Sequence, residues 1–345
     1  MENKILVTGG TGFLGMRLIA ELVKKGYEVK TTVRSLKSKD KVLHTLKENG
    51  IDAKDRLSFA EADLLKDENW EQVMIGCDYV FSVASPVFFD MPEDENEVIR
   101  PAVEGITRIL KAAKKAGVKR VVMTSNFGAV GFSNFDRKSW TTEKNWTDPN
   151  EKGLSAYEKS KLLAEQVAWK FIEEEGEGME FATINPVAIF GPSLDRHVSG
   201  SFDLLKGLLT GSMKRIINLP LNVVDVRDVV DLHIRAMFTP EANMQRFIAS
   251  ADGQITMEEI ADLIRKERPG MAEKIAKKTL PNWLIDLAAL FNKRAGEGKM
   301  MLRVNRQVSN EKAKKLLDWT PIATNEEAVL QAVDSMEKYG VLTNG

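Results

Sequence analysis

An α/β fold, a parallel sheet doubly wound by helices and carrying a smaller, mostly helical C-terminal lobe, follows from three observations on the sequence. The first is a glycine turn, Gly9-Gly10-Thr11-Gly12-Phe13-Leu14-Gly15. It is set between an apolar run (Ile5, Leu6, Val7) and a helical pattern (Met16, Leu18, Ile19, Leu22, Val23). The second is the regular alternation of strand-like and helix-like segments through residues 1–186. The third is the loss of that alternation after Pro186, where Gly191, Pro192, Gly200, Gly207, Gly211 and Pro220 cut the chain into short pieces.

Taken in order, the strands are expected at 4–8, 28–33, 57–61, 79–83, 120–124 and 181–184, with helices between them at 14–25, 40–49, 68–74, 95–116 and 155–175. Pro101, inside the fourth of these helices, is expected to kink or interrupt it. Repeated strand–helix units demand right-handed crossovers. The expected arrangement is therefore a Rossmann-type sheet of order 3-2-1-4-5-6, with a ligand crevice beside strands one and four. Further on, 223–226 reads as a strand, and Asp225 or Asp228 is placed to cap a helix over 229–238. Amphipathic segments follow at 257–265, 283–291 and 310–317. The expected division is a dinucleotide-binding domain of 1–186 and 221–250, and a substrate-binding lobe of 187–220 and 251–345 closing over the carboxyl edge of the sheet.

Bulk properties exclude several classes of function. Among 345 residues there are 49 Lys and Arg and 50 Asp and Glu, a net charge of -1. No field of one sign is available to draw in nucleic acid or an anionic membrane. No apolar run approaches the ~20 residues that span a bilayer, and Pro86 interrupts the longest, 81–89. The first strand begins by Lys4, which leaves no room for a signal peptide. The single cysteine, Cys77, excludes an internal disulfide framework and has no basic neighbour to activate it, so inert packing in a reducing cytoplasm is expected. His44, His197 and His233 lie too far apart for a metal-ligand spacing, and no metal is expected.

A strand, a glycine turn and a helix in this order form the context in which a glycine motif means a bound dinucleotide. Gly9 permits the tight turn, Gly12 lets backbone N–H groups approach a pyrophosphate, and Gly15 lets the helix pack closely on the strand. The helix dipole then favours the phosphates. Tyr157 and Lys161 stand four apart at the start of a helical segment and so share one face. A phenol of ordinary pKa about 10 exchanges protons poorly at neutral pH. A neighbouring ammonium favours the phenolate and eases that exchange. By itself Tyr-x-x-x-Lys arises by accident in a lysine-rich chain; after a fifth strand and a glycine turn it carries weight.

With these motifs in hand, the chain resembles the extended short-chain dehydrogenases/reductases. The branch is that of dihydroflavonol reductases, cinnamoyl-CoA reductases and microbial NADPH-dependent aldehyde and ketone reductases. The carriers begin with Val7 to Gly15, Glu95-Asn96-Glu97-Val98-Ile99 with Pro101 and Gly105, and Arg120 to Ser125. They continue with Tyr157-Glu158-Lys159-Ser160-Lys161, Ala164-Glu165, Ala168-Trp169, Asn185-Pro186 and Gly191-Pro192. The match is good to about residue 240 and loose beyond it.

The end of the second strand bears on the cofactor. An acidic residue there would hold the ribose of NAD, whereas this chain has Val33-Arg34-Ser35. A guanidinium suits the 2′-phosphate of NADP, and the resemblance implies that Arg34 and Lys41 grip it; the bland alternative makes both surface charges. It further implies that Thr11, Phe13 and Leu14 line the phosphates with the three glycines, that Asp63 and Leu64 border the adenine, and that Ala84, Ser85 and Pro86 lie beneath the cofactor. Thr124, Pro186 and Val187 would border the nicotinamide, and Lys161 would hold its ribose. One departure stands out. Related enzymes carry Thr-Ser-Ser after strand five, the second serine bonding the substrate oxygen, but here the chain reads Thr124-Ser125-Asn126. An amide N–H can donate to a developing oxyanion, and a small shift would instead let Ser125 serve; the sequence leaves both open.

Phe88, Phe89, Phe127 and Phe132 are expected to form an apolar, aromatic substrate pocket, with ordinary core as the plain alternative for at least two of them. The asparagine by which dihydroflavonol reductases hold substrate falls at Gly131. That counts against a flavonoid and for aldehydes, aryl ketones or keto esters. The expected activity is NADPH-dependent reduction of such a carbonyl by a monomer or homodimer. Two rivals remain. A nucleotide-sugar epimerase or dehydratase would use the same scaffold, although the Asp-Glu pair of the dehydratases is absent. A non-enzymatic NADP-sensing protein would have no need of Tyr157 and Lys161.

Overall fold

The computed structural model describes residues 3–53, 55–86 and 94–342. The first half alternates strand and helix as expected: β1 (Lys4–Val7), α1 (Phe13–Lys24), β2 (Glu28–Val33), α2 (Lys39–Glu48), β3 (Leu57–Glu61) and α3 (Trp70–Met74). It continues with β4 (Tyr79–Ser82), α4 (Asn96–Lys115), β5 (Arg120–Thr124), α5 (Gly128–Gly131), α6 (Ala156–Glu175) and β6 (Glu180–Pro186). The second half contains β7 (Ala188–Phe190), α7 (Phe202–Leu209), β8 (Ile216–Ile217), β9 (Pro220–Leu221), β10 (Val223–Asp225), α8 (Val226–Phe238) and β11 (Gln245–Ala249). Beyond these lie β12 (Ile255–Thr256), α9 (Met257–Glu267), β13 (Thr279–Leu280), α10 (Asn282–Ala288), α11 (Lys293–Arg303), α12 (Glu311–Leu317) and α13 (Asn325–Lys338).

The main sheet has seven strands in the order β11-β6-β5-β4-β1-β2-β3, all parallel. The six anticipated strands hold the anticipated order, and β11 adds a seventh that the sequence reading did not place. Its apolar side chains divide strictly by parity. Ile5, Val7, Phe81, Val122, Ala182 and Ile184 pack with α1 and α8 on one face. Leu6, Val80, Val121, Met123 and Phe181 pack with α3, α4 and α6 on the other. Strands buried on both faces read as continuous apolar runs, the signature seen at 5–7 and 121–123. Burying one such Ile or Leu contributes roughly 1.5–3 kcal/mol.

Two expectations are corrected. Pro101 neither breaks nor divides its helix: α4 runs unbroken from Asn96 to Lys115. The proline lies near the start of α4, where its missing N–H costs the ladder a single bond. The helix expected at 229–238 begins earlier, because Asp225 rather than Asp228 caps it. The Asp225 carboxylate accepts from the Arg227 N–H at 2.8 Å. Asp228 turns away and accepts from the Ile322 N–H at 2.9 Å. Ser155 caps α6 in the same way, accepting from the Glu158 N–H at 3.2 Å, and so sets Tyr157 in the first turn. Among the described residues no helix is long and apolar enough to cross a membrane.

Candidate active site

The glycine turn links β1 to α1 and cannot carry larger side chains. Gly9 has φ +76°, and a Cβ there would sit 3.1 Å from Ala84. A Cβ on Gly15 would overlap the Gly9 carbonyl oxygen, and one on Gly10 would overlap Thr31. The Gly12 N–H is taken by the Gly9 oxygen at 3.0 Å. Phe13 and Leu14 open the helix, so their N–H groups have no acceptor within it. No acidic residue stands in the first turn of α1, and no side chain caps it. This is a cradle for a phosphate, with donors unspent and no competing carboxylate.

The other positions expected around a dinucleotide stand at or after the carboxyl ends of β2 to β6, the sheet edge on which the cradle lies. Ala84, Ser85 and Pro86 follow β4, and the Val83 and Ala84 N–H groups are pinned on Thr8 Oγ1, each at 2.9 Å. With Leu64, Thr124 and Lys161 they line one small pocket. Asp63 accepts from the Leu65 N–H at 3.0 Å, closing a turn after β3. The Pro186 carbonyl accepts from the Phe127 N–H at 2.8 Å, and the Val187 N–H donates to the Ala249 oxygen at 3.1 Å. Arg34 is exposed at the end of β2 with no ionic partner among the described residues. Lys41 pairs with Asp195 at 3.6 Å. The residues present therefore fit a dinucleotide with a 2′-phosphate.

Beyond the cradle stand Tyr157, Lys161 and Asn126. Tyr157 is 42 % exposed, yet its surroundings push the phenol above its ordinary value, burial first and the charge of Glu158 second. Lys161 is buried, and no described group bonds its ammonium. Burial pulls it down to about 8, against the opposing charges of Glu158 and Glu165. The expected depression of Tyr157 by Lys161 is thus not a property of the protein alone, which holds the phenol in its proton-bearing form. Asn126 Nδ2 donates to Glu158 Oε2 at 2.7 Å, and Asn126 Oδ1 accepts from the Ala129 N–H at 3.2 Å. Burial raises the Glu158 carboxyl to about 7, opposed by the Asn126 bond and by the charges of Lys161 and Arg306.

Ser125 points elsewhere. It is 2 % exposed, and its hydroxyl donates to Glu165 Oε2 at 2.6 Å. Glu165 is fully buried and also accepts from Asn185 Nδ2 at 2.7 Å, Thr183 Oγ1 at 3.0 Å, Trp169 Nε1 at 3.2 Å and Arg246 Nε at 2.7 Å. Thr124 Oγ1 lies 2.7 Å from His233 Nε2, fastening β5 to α8.

The aromatic pocket is corrected in part. Phe127 and Phe132 are core residues, 3 % and 5 % exposed, packed edge to face at 5.9 Å with Leu154, Leu162 and Met300 around them. Phe88 and Phe89 lie outside the described residues. Sequence reasoning missed Arg246 and Arg306 altogether and quoted Glu158 only within the Tyr157–Lys161 motif, without a role. It quoted Glu165 without a role, although its place four residues after Lys161 on α6 puts both on one helix face.

Comparison with known proteins places this geometry. Residues 5–248 match the model of the NAD dependent epimerase/dehydratase family. Tetraketide alpha-pyrone reductase 1 of Arabidopsis thaliana is 35% identical over 275 residues, 78% of this chain and 82% of its own length. Cinnamoyl-CoA reductase CAD2 of Medicago truncatula is 30% identical over 98% of this chain and 97% of its own. The crystal structure of yeast methylglyoxal/isovaleraldehyde reductase Gre2 complexed with NADPH superposes with a TM-score of 0.79 at 26% identity, covering 98% of this chain and 99% of that one. By sequence and by fold the chain belongs to the NAD dependent epimerase/dehydratase family, among the extended short-chain dehydrogenases/reductases, and is an NADP-dependent oxidoreductase.

Proposed function

We propose that the protein reduces an aldehyde or ketone to the alcohol, with Tyr157 as the proton donor. The observation that carries this reading is that Tyr157 and Lys161 share one face at the start of α6 while Asn126, just after β5, bonds Glu158 of the same helix, all at the carboxyl edge of the sheet where the cradle of α1 also lies. Bound NADPH supplies the hydride. Tyr157, held protonated by its surroundings, gives its proton to the carbonyl oxygen as negative charge builds there. The buried ammonium of Lys161 then steadies the phenolate left behind. The amide of Asn126 donates to the same oxygen. Ser125 takes no part in this, because its hydroxyl is spent on Glu165. Arg34 and Lys41 hold the 2′-phosphate.

The substrate class rests on the relatives and on space. By their names, relatives reduce methylglyoxal and isovaleraldehyde, a tetraketide alpha-pyrone, cinnamoyl-CoA, anthocyanidin and dihydroflavonol, so the choice among them rests on space. At position 131, where a dihydroflavonol reductase would need its asparagine, even a Cβ would overlap the Phe127 ring. Small aldehydes, aryl ketones and keto esters fit better than a flavonoid.

The test mixes purified protein with NADPH and isovaleraldehyde, benzaldehyde or ethyl acetoacetate, and follows the loss of NADPH absorbance. The expected result is turnover with at least one of them, and its loss by about a hundredfold or more in Tyr157→Phe, the range of general acid catalysis. NADPH left unoxidised with every carbonyl defeats the reading, and full activity in Tyr157→Phe defeats the role of the tyrosine.

A further inference from the structure

Asn126 stands where relatives place a serine, and it does not stand alone. Both ends of its amide are assigned. Oδ1 accepts from the Ala129 N–H at 3.2 Å on the α5 side, and Nδ2 donates to Glu158 Oε2 at 2.7 Å on the α6 side, next to Tyr157. The carboxylate has its seat only because position 128 is glycine. A Cβ there would overlap Glu158 Oε2 and come within 3.1 Å of Asn126 Oδ1. Asn126, Gly128 and Glu158 are therefore one mutually adjusted unit, drawn from the loop after β5, the first turn of α5 and the first turn of α6.

We propose that Glu158 is a positioning residue for carbonyl reduction, holding the Asn126 amide with its nitrogen on the α6 side so that the second N–H of Nδ2 remains for the substrate oxygen. The inference rests on the carbonyl-reductase reading given above. An amide has a donor end and an acceptor end of nearly equal shape. Turned the wrong way, it presents an oxygen lone pair to an oxygen that is gaining negative charge, which raises the barrier instead of lowering it. A serine hydroxyl needs no such guard, since it rotates to donate. A chain that exchanges serine for asparagine at this position therefore needs partners that set the flip, and Glu158 supplies the shorter of the two bonds, beside the longer one from the Ala129 N–H to Oδ1. The carboxyl is pushed up to about 7 by burial. The other charged groups acting on it are Lys161 on its own helix and Arg306 after α11. The side-chain oxygen of a glutamine offers the same acceptor without the charge.

A double-mutant cycle decides the matter. Steady-state kinetics with saturating NADPH are measured for wild type, Glu158→Ala, Glu158→Gln, Asn126→Ser and the Asn126→Ser/Glu158→Ala pair, using benzaldehyde and ethyl acetoacetate. NADPH affinity is read separately by fluorescence titration. Glu158→Ala should lower kcat by about tenfold, the loss of an aligned donor, and leave the NADPH Kd within about twofold. Glu158→Gln should recover most of that loss. Asn126→Ser should lower kcat while leaving it measurable, and adding Glu158→Ala to it should cost less than about twofold.

The proposal is overturned by a Glu158→Ala protein within about twofold of wild type. It is equally overturned by the same cost in the serine background, or by a parallel fall in NADPH affinity, since either assigns Glu158 to the fold. An inactive Asn126→Ser protein overturns it as well, because a hydroxyl must serve here without an aligning carboxylate. Wild type that oxidises no NADPH with any carbonyl removes the underlying reading, an outcome distinct from all of these.

Discussion

Arg34 and Lys41 carry the same formal charge, but their surroundings separate them. Arg34 ends β2 with no ionic partner among the described residues, while Lys41 on α2 already shares its charge with Asp195 at 3.6 Å. An unshared guanidinium can offer both of its parallel N–H groups to a phosphate. A partly neutralised ammonium in solvent offers less. Arg34→Asp should therefore weaken NADPH binding by tenfold or more, about 1.4 kcal/mol at least, and shift the preference towards NADH. Lys41→Ala should weaken it less. Asp195→Asn should tighten NADPH binding, because it returns the full Lys41 charge to the phosphate. Fluorescence titration of the three variants checks the ranking, and equal losses for Arg34→Asp and Lys41→Ala would refute it. The choice between Ser125 and Asn126 was not legible in the sequence. Adjacent residues after a strand leave on opposite sides, and only the packing of α6 on the sheet shows that Ser125 is the one bonded to Glu165.

Elements were legible where their burial was uniform. β1, β4, β5 and β6 announce themselves as apolar runs because helices cover both faces of the sheet there, whereas β2 and the edge strand β3 are more mixed. β11 was hidden: Gln245-Arg246 opens it with polarity, and an arginine belongs in a central-sheet neighbour only when a buried partner such as Glu165 receives it. α11 was hidden as well, since Gly296 and Gly298 dilute its propensity and its face is largely charged. At the same scale, β5 is clamped to α8 by His233. The ring is fully buried, its Nδ1 lies 2.7 Å from the Val229 oxygen and its Nε2 2.7 Å from Thr124 Oγ1. Burial depresses its pKa to about 4 from the usual 6.5. The unfolded chain therefore takes up its proton first as pH falls. The stabilisation from the neutral ring is complete above pH 6.5 and is lost between 6.5 and about 4, on the order of 3 kcal/mol in all. Glu158 and Asp228, both raised to about 7, act in the opposite sense over an overlapping range, so the comparison must be with a variant. Urea midpoints of wild type and His233→Gln, measured from pH 7.5 to 4, should converge as the pH falls. Parallel curves would show that the ring titrates normally.

For the molecule as a whole, the decisive tie is the buried pair of Glu165 and Arg246. Glu165 Oε1 accepts from Arg246 Nε at 2.7 Å, and the remaining donors on its two oxygens come from β5, β6 and α6. Arg246 donates through Nη1 to the Glu143 and Asn145 carbonyls, each at 2.8 Å, and stacks on Trp146 at 3.6 Å. One guanidinium on β11 thus binds the last strand of the sheet to α6 and pulls the segment around 143–146 onto it. None of this shows in sequence, where the two residues lie far apart and Arg246 belongs to no motif. A buried pair contributes little net stability over apolar residues of like shape, but removing one partner strands the other charge, at about 3–5 kcal/mol. Arg246→Met should therefore lower the unfolding free energy by about that amount. Arg246→Lys should fall in between, since an ammonium keeps the charge but cannot span the Glu165 carboxylate and two carbonyls in one plane. Urea unfolding of the three proteins at neutral pH reads both effects at once. An Arg246→Met protein within about 1 kcal/mol of wild type at neutral pH would mean that the four remaining donors on Glu165 are sufficient and that the arginine is dispensable to the fold.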